Sequence, residues 1–288
     1  MNFDWRREDD ETIEHHFNPR LTVSNAMELL TELPERAARA RPGLNGTYDV
    51  RYGPAPKETF DIFAATDDTG GSTPPAQIFI HGGYWRMMDK SDHSHLASDV
   101  TAGGVTHISL NYDLCPEVTL DTIVEQIRRA VIYIYSNAGA LGIDGDRLYI
   151  SGHSAGGHLT AMMMRQDWPA AGLPKDIFKG VLPISGIFEP EAIMHTSIND
   201  DVRLDLEMAQ RNGLLDEPPT VPAPVLAIVG DDEPEGFHEQ SAAYVAHCRS
   251  AGLKAGMVSI AGANHFTVLD RIFQKDGELF GPMMAEMV

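Results

Sequence analysis

Short apolar runs alternate with amphipathic segments along most of the chain. The runs predict strands, and hydrophobic positions three or four residues apart predict helices. The six predicted strands of this pattern are Gln77–Ile80, Thr106–Leu110, Arg147–Ile150, Val181–Ile184, Val225–Val229 and Met257–Ile260. The predicted helices are Leu120–Ala138, Ala155–Gln166, Gly236–Arg249 and one that starts near Phe266. Alternating strands and helices indicate an α/β protein with a mostly parallel sheet that is covered by helices on both faces.

Three segments depart from this alternation. Residues 8–41 are charged and have helical spacing up to Pro42-Gly43, so residues 1–45 are predicted to form an N-terminal helical extension. Thr47–Tyr52 and Thr59–Ala64 then have the pattern of a β-hairpin. Residues 187–222 are polar and contain prolines. We expect this insertion to cap the carboxyl edge of the sheet, where open α/β sheets bind ligands.

Composition and charge narrow the class of protein. The 288 residues are 43% hydrophobic and 22% charged, which is typical of a globular protein and predicts a single domain over residues 1–288. The net charge of −20 disfavours nucleic acid and anionic lipid as partners and favours a neutral or weakly charged small-molecule substrate. No apolar run has the roughly 18 residues that a membrane span needs. The oligomeric state stays open, with a homodimer as one option.

Two further features indicate a cytoplasmic protein. The N-terminus lacks the basic start and apolar stretch of a signal peptide. Cys115 and Cys248 are the two cysteines, too few for a disulfide framework, and neither belongs to a catalytic motif.

The clearest chemical signal is Gly152-His153-Ser154-Ala155-Gly156, which follows a predicted strand and precedes a predicted helix. This is the context of a nucleophile elbow, where a serine stands on a sharp turn and its neighbours two positions away must be small. The helix that begins behind Ser154 favours a developing negative charge. Ser154 is therefore the predicted nucleophile.

A second motif, His81-Gly82-Gly83-Tyr84-Trp85, follows an earlier strand. Glycines let a backbone approach a tetrahedral intermediate closely enough to donate hydrogen bonds to its oxyanion. The predicted oxyanion donors are the amide of Ala155 and the amide of Gly82 or Gly83. Tyr84 and Trp85 either line the substrate pocket or pack the loop in place. His153, beside the nucleophile, is a further candidate for the pocket.

The order serine, acid, histidine along the chain selects the remaining catalytic candidates. His265 follows the last predicted strand, whereas the other late histidines fall inside a predicted helix. The acid should follow the strand that ends at Val229, in a segment with three adjacent carboxylates. Only one of these can turn inward, because adjacent like charges resist desolvation together. Glu233 is the preferred acid, and Asp232 is the alternative.

No sequence signal indicates a cofactor or a metal. The chain has no dinucleotide or phosphate-loop glycine fingerprint. His93 and His95 are two positions apart, which is not a spacing that shares a helix face, so we expect no metal site there.

Together these motifs resemble the kynurenine formamidase (arylformamidase) branch of the α/β-hydrolases, near the carboxylesterases that are similar to hormone-sensitive lipase. The resemblance rests on His81–Trp85, Gly152–His158, Ser185–Phe188, Asn199, Glu233, Phe237, Gln240-Ser241 and His265-Phe266, with Phe17–Arg20 and Tyr52-Gly53 upstream. It implies an α/β-hydrolase fold and a triad of Ser154, Glu233 and His265. It also implies hydrolysis of an aryl formamide of the N-formylkynurenine type.

Two other functions stay open at this stage. The same residues would serve a carboxylesterase that acts on short-chain or aryl esters. A protein with this fold that only binds ligands usually lacks the serine or the histidine, whereas this chain has both.

Overall fold

An eight-stranded sheet organises the part of the chain that the structure describes. The computed structural model describes residues 3–66 and 72–287. Residues 1–2 of the predicted extension, and residues 67–71 and 288 of the predicted domain, lie outside the described residues. The strands are Gly46–Arg51 (β1), Thr59–Phe63 (β2), Ala76–Ile80 (β3), Thr106–Leu110 (β4), Leu148–His153 (β5), Phe178–Ile184 (β6), Val225–Gly230 (β7) and Ala255–Ile260 (β8).

The sheet has the order β1-β2-β4-β3-β5-β6-β7-β8. β1 and β2 form the predicted hairpin, and β2 pairs antiparallel with β4. All other neighbours are parallel. The predicted mostly parallel sheet is therefore confirmed, and each of the predicted strands is present.

Helices cover both faces of this sheet, as predicted. The helices are Asp10–Phe17 (α1), Pro19–Thr22 (α2), Ala26–Ala40 (α3), Ala97–Ala102 (α4), Leu120–Ser136 (α5), Ala138–Leu141 (α6), Ala155–Met162 (α7), Asn199–Val202 (α8), Leu206–Arg211 (α9), Glu235–Ser250 (α10), Val268–Phe273 (α11) and Phe280–Met287 (α12). Apolar side chains of α5, α7 and α10 contribute to one core, and those of α4, α11 and α12 contribute to the other. No helix in the described ranges is long and apolar enough to cross a membrane.

The N-terminal extension is helical but broken into three pieces. Asn18 ends α1 and begins α2, because its side chain accepts a hydrogen bond from the amide of Arg20. Pro19 takes the first position of α2, where its missing N–H costs nothing. Residues 23–25 then separate α2 from α3. The prediction of helical structure over residues 8–41 did not include these interruptions, since hydrophobic periodicity does not register a cap and a turn.

Several histidines are buried within this fold. Burial lowers the pKa of His81 to about 4, of His107 to about 3 and of His158 to about 4. It also lowers the pKa of His93 and His153 well below the ordinary value. These side chains are therefore neutral in the folded protein near pH 7, because ionisation would place a charge away from water.

Because these histidines are buried in their neutral form, we expect the folded protein to lose stability in acid. Unfolding returns each one to a pKa of about 6.5, so the unfolded chain binds more protons once the pH falls below that value. The contribution of the neutral histidines to the free energy of unfolding is complete above about pH 6.5 and is lost as the pH falls toward about 4. We expect the free energy of unfolding to drop by roughly 1 kcal/mol per buried histidine between about pH 7 and about pH 5.5. Denaturant titrations at the two pH values measure it, and equal unfolding free energies would contradict the prediction.

Candidate active site

Ser154 stands on a sharp turn between β5 and α7. Its backbone has φ 57° and ψ −119°, a positive φ that residues with a side chain seldom adopt. A Cβ on Gly156 would lie 2.1 Å from the carbonyl oxygen of Ile80. A Cβ on Gly152 would lie 2.2 Å from the carbonyl oxygen of Gly156. Both glycines are therefore required by the close packing of this turn against its neighbours.

The loop after β3 passes directly beside this turn. A Cβ on Gly82 would lie 2.9 Å from the carbonyl oxygen of His153 and 3.2 Å from the Cβ of Ser154. Gly83 has φ 102°, and a Cβ there would lie 2.3 Å from the carbonyl oxygen of Met87. The loop thus approaches Ser154 because Gly82 lacks a side chain, whereas Gly83 is required by the tight turn toward Met87. Ala155 is the first residue of α7, so its amide belongs to the N-terminal N–H groups that have no partner within a helix.

Buried side chains hold this glycine loop in place. The ring of His81 stacks on Tyr112, with the centroids 4.3 Å apart and the planes at 9°. The Tyr112 hydroxyl donates a hydrogen bond of 2.9 Å to the backbone oxygen of His81. His81 also contacts Asn111, with Nε2 3.1 Å from Oδ1. These contacts fix the backbone of the loop where it meets the turn at Ser154.

Glu233 and His265 form a buried pair. The Nδ1 of His265 donates to Oε2 of Glu233 at 2.6 Å. The other carboxylate oxygen, Oε1, accepts from the hydroxyl of Ser185 at 2.6 Å and from the amide of Gly230 at 2.7 Å. A carboxylate that holds the proton on Nδ1 leaves Nε2 unprotonated and able to act as a base.

The two other carboxylates of this segment point away. Asp231 and Asp232 are exposed, whereas Glu233 is buried. The Asp231 side chain accepts a hydrogen bond of 3.0 Å from the hydroxyl of Ser259. Asp232 is held through its backbone amide, which donates to the carbonyl oxygen of Ala263 at 3.0 Å. Of the two predicted candidates, the structure brings Glu233 to the histidine.

One pocket brings the Ser154 turn, the glycine loop and the histidine together. Ser154, His153, His265 and Gly83 are among its lining residues. The pocket forms at one edge of the sheet because β3, β5, β7 and β8 are parallel, so that the segments that follow these strands meet there.

Much of the pocket's cover comes from the N-terminal extension. Its lining residues there are Asn18, Pro19, Arg20, Leu30 and Leu33. The 187–222 insertion, predicted to be the cap, contributes Ile198 among the described lining residues. We call the segment Asn18–Leu33 the roof of the pocket. Sequence reasoning placed helices here but did not identify them as the larger part of the cover.

The three predicted pocket residues have different positions. Tyr84 lines the pocket, and its hydroxyl donates a hydrogen bond to the backbone oxygen of Phe17, which joins the glycine loop to the N-terminal extension directly before the roof. His153 lines the pocket with its ring centroid 4.5 Å from that of His265. Trp85 is fully buried, and its ring meets His158 edge to face at 5.1 Å. It does not line the pocket, so the structure favours its packing role because the ring turns into the core.

Sequence reasoning missed Ser185 as a functional partner. It lies just after β6, is fully buried and has φ 48°, and its hydroxyl donates to Glu233. The segment that starts at Ser185 contributed to the family resemblance, and this was the available signal. His93 and His95 are stacked with their ring centroids 6.4 Å apart. No group of three or more metal-ligating side chains within residues 3–66 and 72–287 is arranged to hold a metal ion.

Several known proteins are similar to this chain in sequence or in fold. The family model of the prolyl oligopeptidase family matches residues 124–276, more than half of the chain, and the BD-FAE model matches residues 60–168. A kynurenine formamidase from Salmo salar is 28% identical over 96% of this chain and 95% of its own length. A kynurenine formamidase from Danio rerio is 28% identical over 95% of this chain and 94% of its own length. A solved structure of a candidate thioesterase from Silicibacter sp. TM1040 has a TM-score of 0.81, with 27% identity over 96% of this chain and 98% of that one.

Proposed function

Because this chain belongs to the prolyl oligopeptidase family and, with its kynurenine formamidase relatives, to the α/β-hydrolases, we propose that it is a serine hydrolase with Ser154 as nucleophile. The observation that carries the proposal is one pocket lined by the strained Ser154 turn and by a histidine bound to a buried carboxylate. His265 is the base, and Glu233 orients it. Perturbed geometry and paired ionisable groups in one cleft are typical of catalytic sites.

The reaction proceeds through an acyl-enzyme. His265 Nε2 takes the proton of the Ser154 hydroxyl as the oxygen attacks the acyl carbon of the substrate. The oxyanion accepts hydrogen bonds from the amides of Ala155 and of Gly82 or Gly83. The protonated His265 then gives its proton to the leaving amine or alcohol. A water molecule, deprotonated by His265, releases the acid and restores Ser154.

An aryl formamide is the substrate class that we propose. Two kynurenine formamidases align with nearly the whole chain, including the N-terminal roof. A formyl group needs little space at the acyl position, and the rest of the substrate can extend toward the roof. Hydrolysis of N-formylkynurenine would release formate and the free aryl amine.

A carboxylesterase acting on short-chain or aryl esters is the second candidate. The same nucleophile, base and oxyanion donors serve ester hydrolysis, and the similar Silicibacter structure is described as a candidate thioesterase. The choice between the two depends on the acyl and leaving groups that the pocket accepts.

Parallel assays on one preparation separate these functions. We expect turnover of N-formylkynurenine and of formanilide, with a higher kcat/KM for N-formylkynurenine than for p-nitrophenyl acetate. Hydrolysis of the ester without hydrolysis of either formamide would reject the formamidase and leave the serine hydrolase intact. Loss of all three activities, together with no labelling by a fluorophosphonate, would favour a protein that only binds ligands.

A further inference from the structure

Two arginines line the pocket of a strongly acidic protein. Arg20 belongs to the roof, and Arg86 belongs to the loop that follows the glycine motif. Arg86 already forms an ion pair with Asp201. By contrast, no carboxylate among residues 3–66 and 72–287 lies within 4.0 Å of the Arg20 guanidinium. Of the two arginines in this pocket, Arg20 therefore has no anionic partner in the described part of the chain.

The Arg20 guanidinium lies against the glycine loop. Its Nη2 is 2.8 Å from the sulfur of Met87. Met87 is in turn held by Gly83, whose carbonyl oxygen accepts from the Met87 amide at 3.1 Å. A thioether is a weak acceptor, so a carboxylate can replace it at little cost. Arginine and a carboxylate form stronger, charge-assisted hydrogen bonds that are often bidentate.

We propose that Arg20 binds a carboxylate on the leaving-group half of the substrate, so that the pocket selects aryl substrates that bear a carboxylate there. This proposal rests on the proposed function and makes its substrate class more specific. The acyl carbon must lie at Ser154 beside the glycine loop, so the remainder of the substrate extends toward the roof, where Arg20 lies. An aryl formamide that bears an amino-acid carboxylate has its anionic group on that half.

The local charge therefore differs from the charge of the whole protein. The net charge of −20 led to the expectation of a neutral or weakly charged substrate. At the pocket, Asp201 neutralises Arg86 and leaves Arg20 to attract an anion. Charges within a few ångströms outweigh distant surface charges, which salt screens over about 8–10 Å.

The test compares a carboxylate with its uncharged analogue. N-formylkynurenine and its carboxamide differ only in that group. For Arg20→Gln we expect the ratio of kcat/KM, acid over carboxamide, to fall about tenfold, because Arg20 is exposed and a charge-assisted hydrogen bond at the surface is partly screened. The change should reside in KM rather than in kcat. Arg20→Lys should recover part of the ratio, since it keeps the charge and loses the bidentate geometry.

A matched control separates a local from a general charge effect. Arg39 lies on α3, is exposed, and pairs with Glu35, so Arg39→Gln removes the same charge away from the pocket. It should leave the ratio at the wild-type value. An unchanged ratio in Arg20→Gln, or an equal fall in Arg39→Gln, would overturn the proposal.

Different experimental outcomes would reject the Arg20 site and the formamidase function. If the wild-type protein hydrolyses neither formamide, the formamidase fails, and the ratio is then measured with 3-acetoxybenzoate and its carboxamide. A fall in that ratio for Arg20→Gln would support the anion site on an esterase. Turnover of formamides with no dependence on Arg20 would retain the function and reject the site.

Discussion

A Ser154→Ala variant should lose activity by a factor of about 10⁴ to 10⁶, because removal of one member of a triad removes nearly all of the concerted catalysis. The loss should appear in kcat, since the pocket and its roof remain to bind substrate. Steady-state kinetics with the best substrate from the parallel assays measure it. Circular dichroism and the thermal midpoint should match those of the wild type, because a hydroxyl replaced by hydrogen leaves the packing of the turn unchanged.

A second serine provides the control for this variant. Ser98 is exposed on α4, so Ser98→Ala should keep full activity and full labelling by a fluorophosphonate. Mass spectrometry of the labelled wild type should place the adduct on Ser154, and Ser154→Ala should take up none. Substantial turnover by Ser154→Ala would assign the nucleophile elsewhere and reject the mechanism.

The second large effect concerns the acid. Glu233→Gln should lower kcat by about 10⁴, the size of the loss when an amide replaces the acid of a triad. The amide cannot stabilise an imidazolium, and it meets Ser185 and Gly230 where the carboxylate accepted two hydrogen bonds. The measurement is kcat over a range of pH, with the thermal midpoint as the check on folding.

Asp232→Asn is the matched control, since it makes the same chemical change one residue away. Its side chain is exposed, so we expect activity within about twofold of the wild type, as surface substitutions usually give. A large loss in Asp232→Asn beside an active Glu233→Gln would reverse the assignment of the acid.

Local rules predicted much of this architecture. Short apolar runs identified the strands because parallel strands are buried on both faces. Gly152 and Gly156 identified the Ser154 turn, since the steric requirement is local to five residues. The position of His265 followed from the chain order of the catalytic groups and from the strand that precedes it.

Contacts between segments that are distant in the chain could not be predicted from local sequence patterns. The inward position of Glu233 depends on Ser185, which reaches its carboxylate from 48 residues away in the chain, as well as on the nearby amide of Gly230. The attachment of the N-terminal extension to the glycine loop depends on the Tyr84 hydroxyl, which donates to the backbone oxygen of Phe17, 67 residues away in the chain. Hydrophobic periodicity identifies the buried face of a helix but not the surface against which this face packs.

The roof and the proposed catalytic groups are encoded in separate stretches of the chain. The segment Asn18–Leu33 precedes the first strand, whereas Ser154, Glu233 and His265 all follow β5. Mutations in the roof can therefore change which molecules enter without disturbing the chemistry. Such a division allows selectivity to diverge during evolution while the hydrolytic centre is preserved, and it makes the first helices the natural region to randomise in directed evolution.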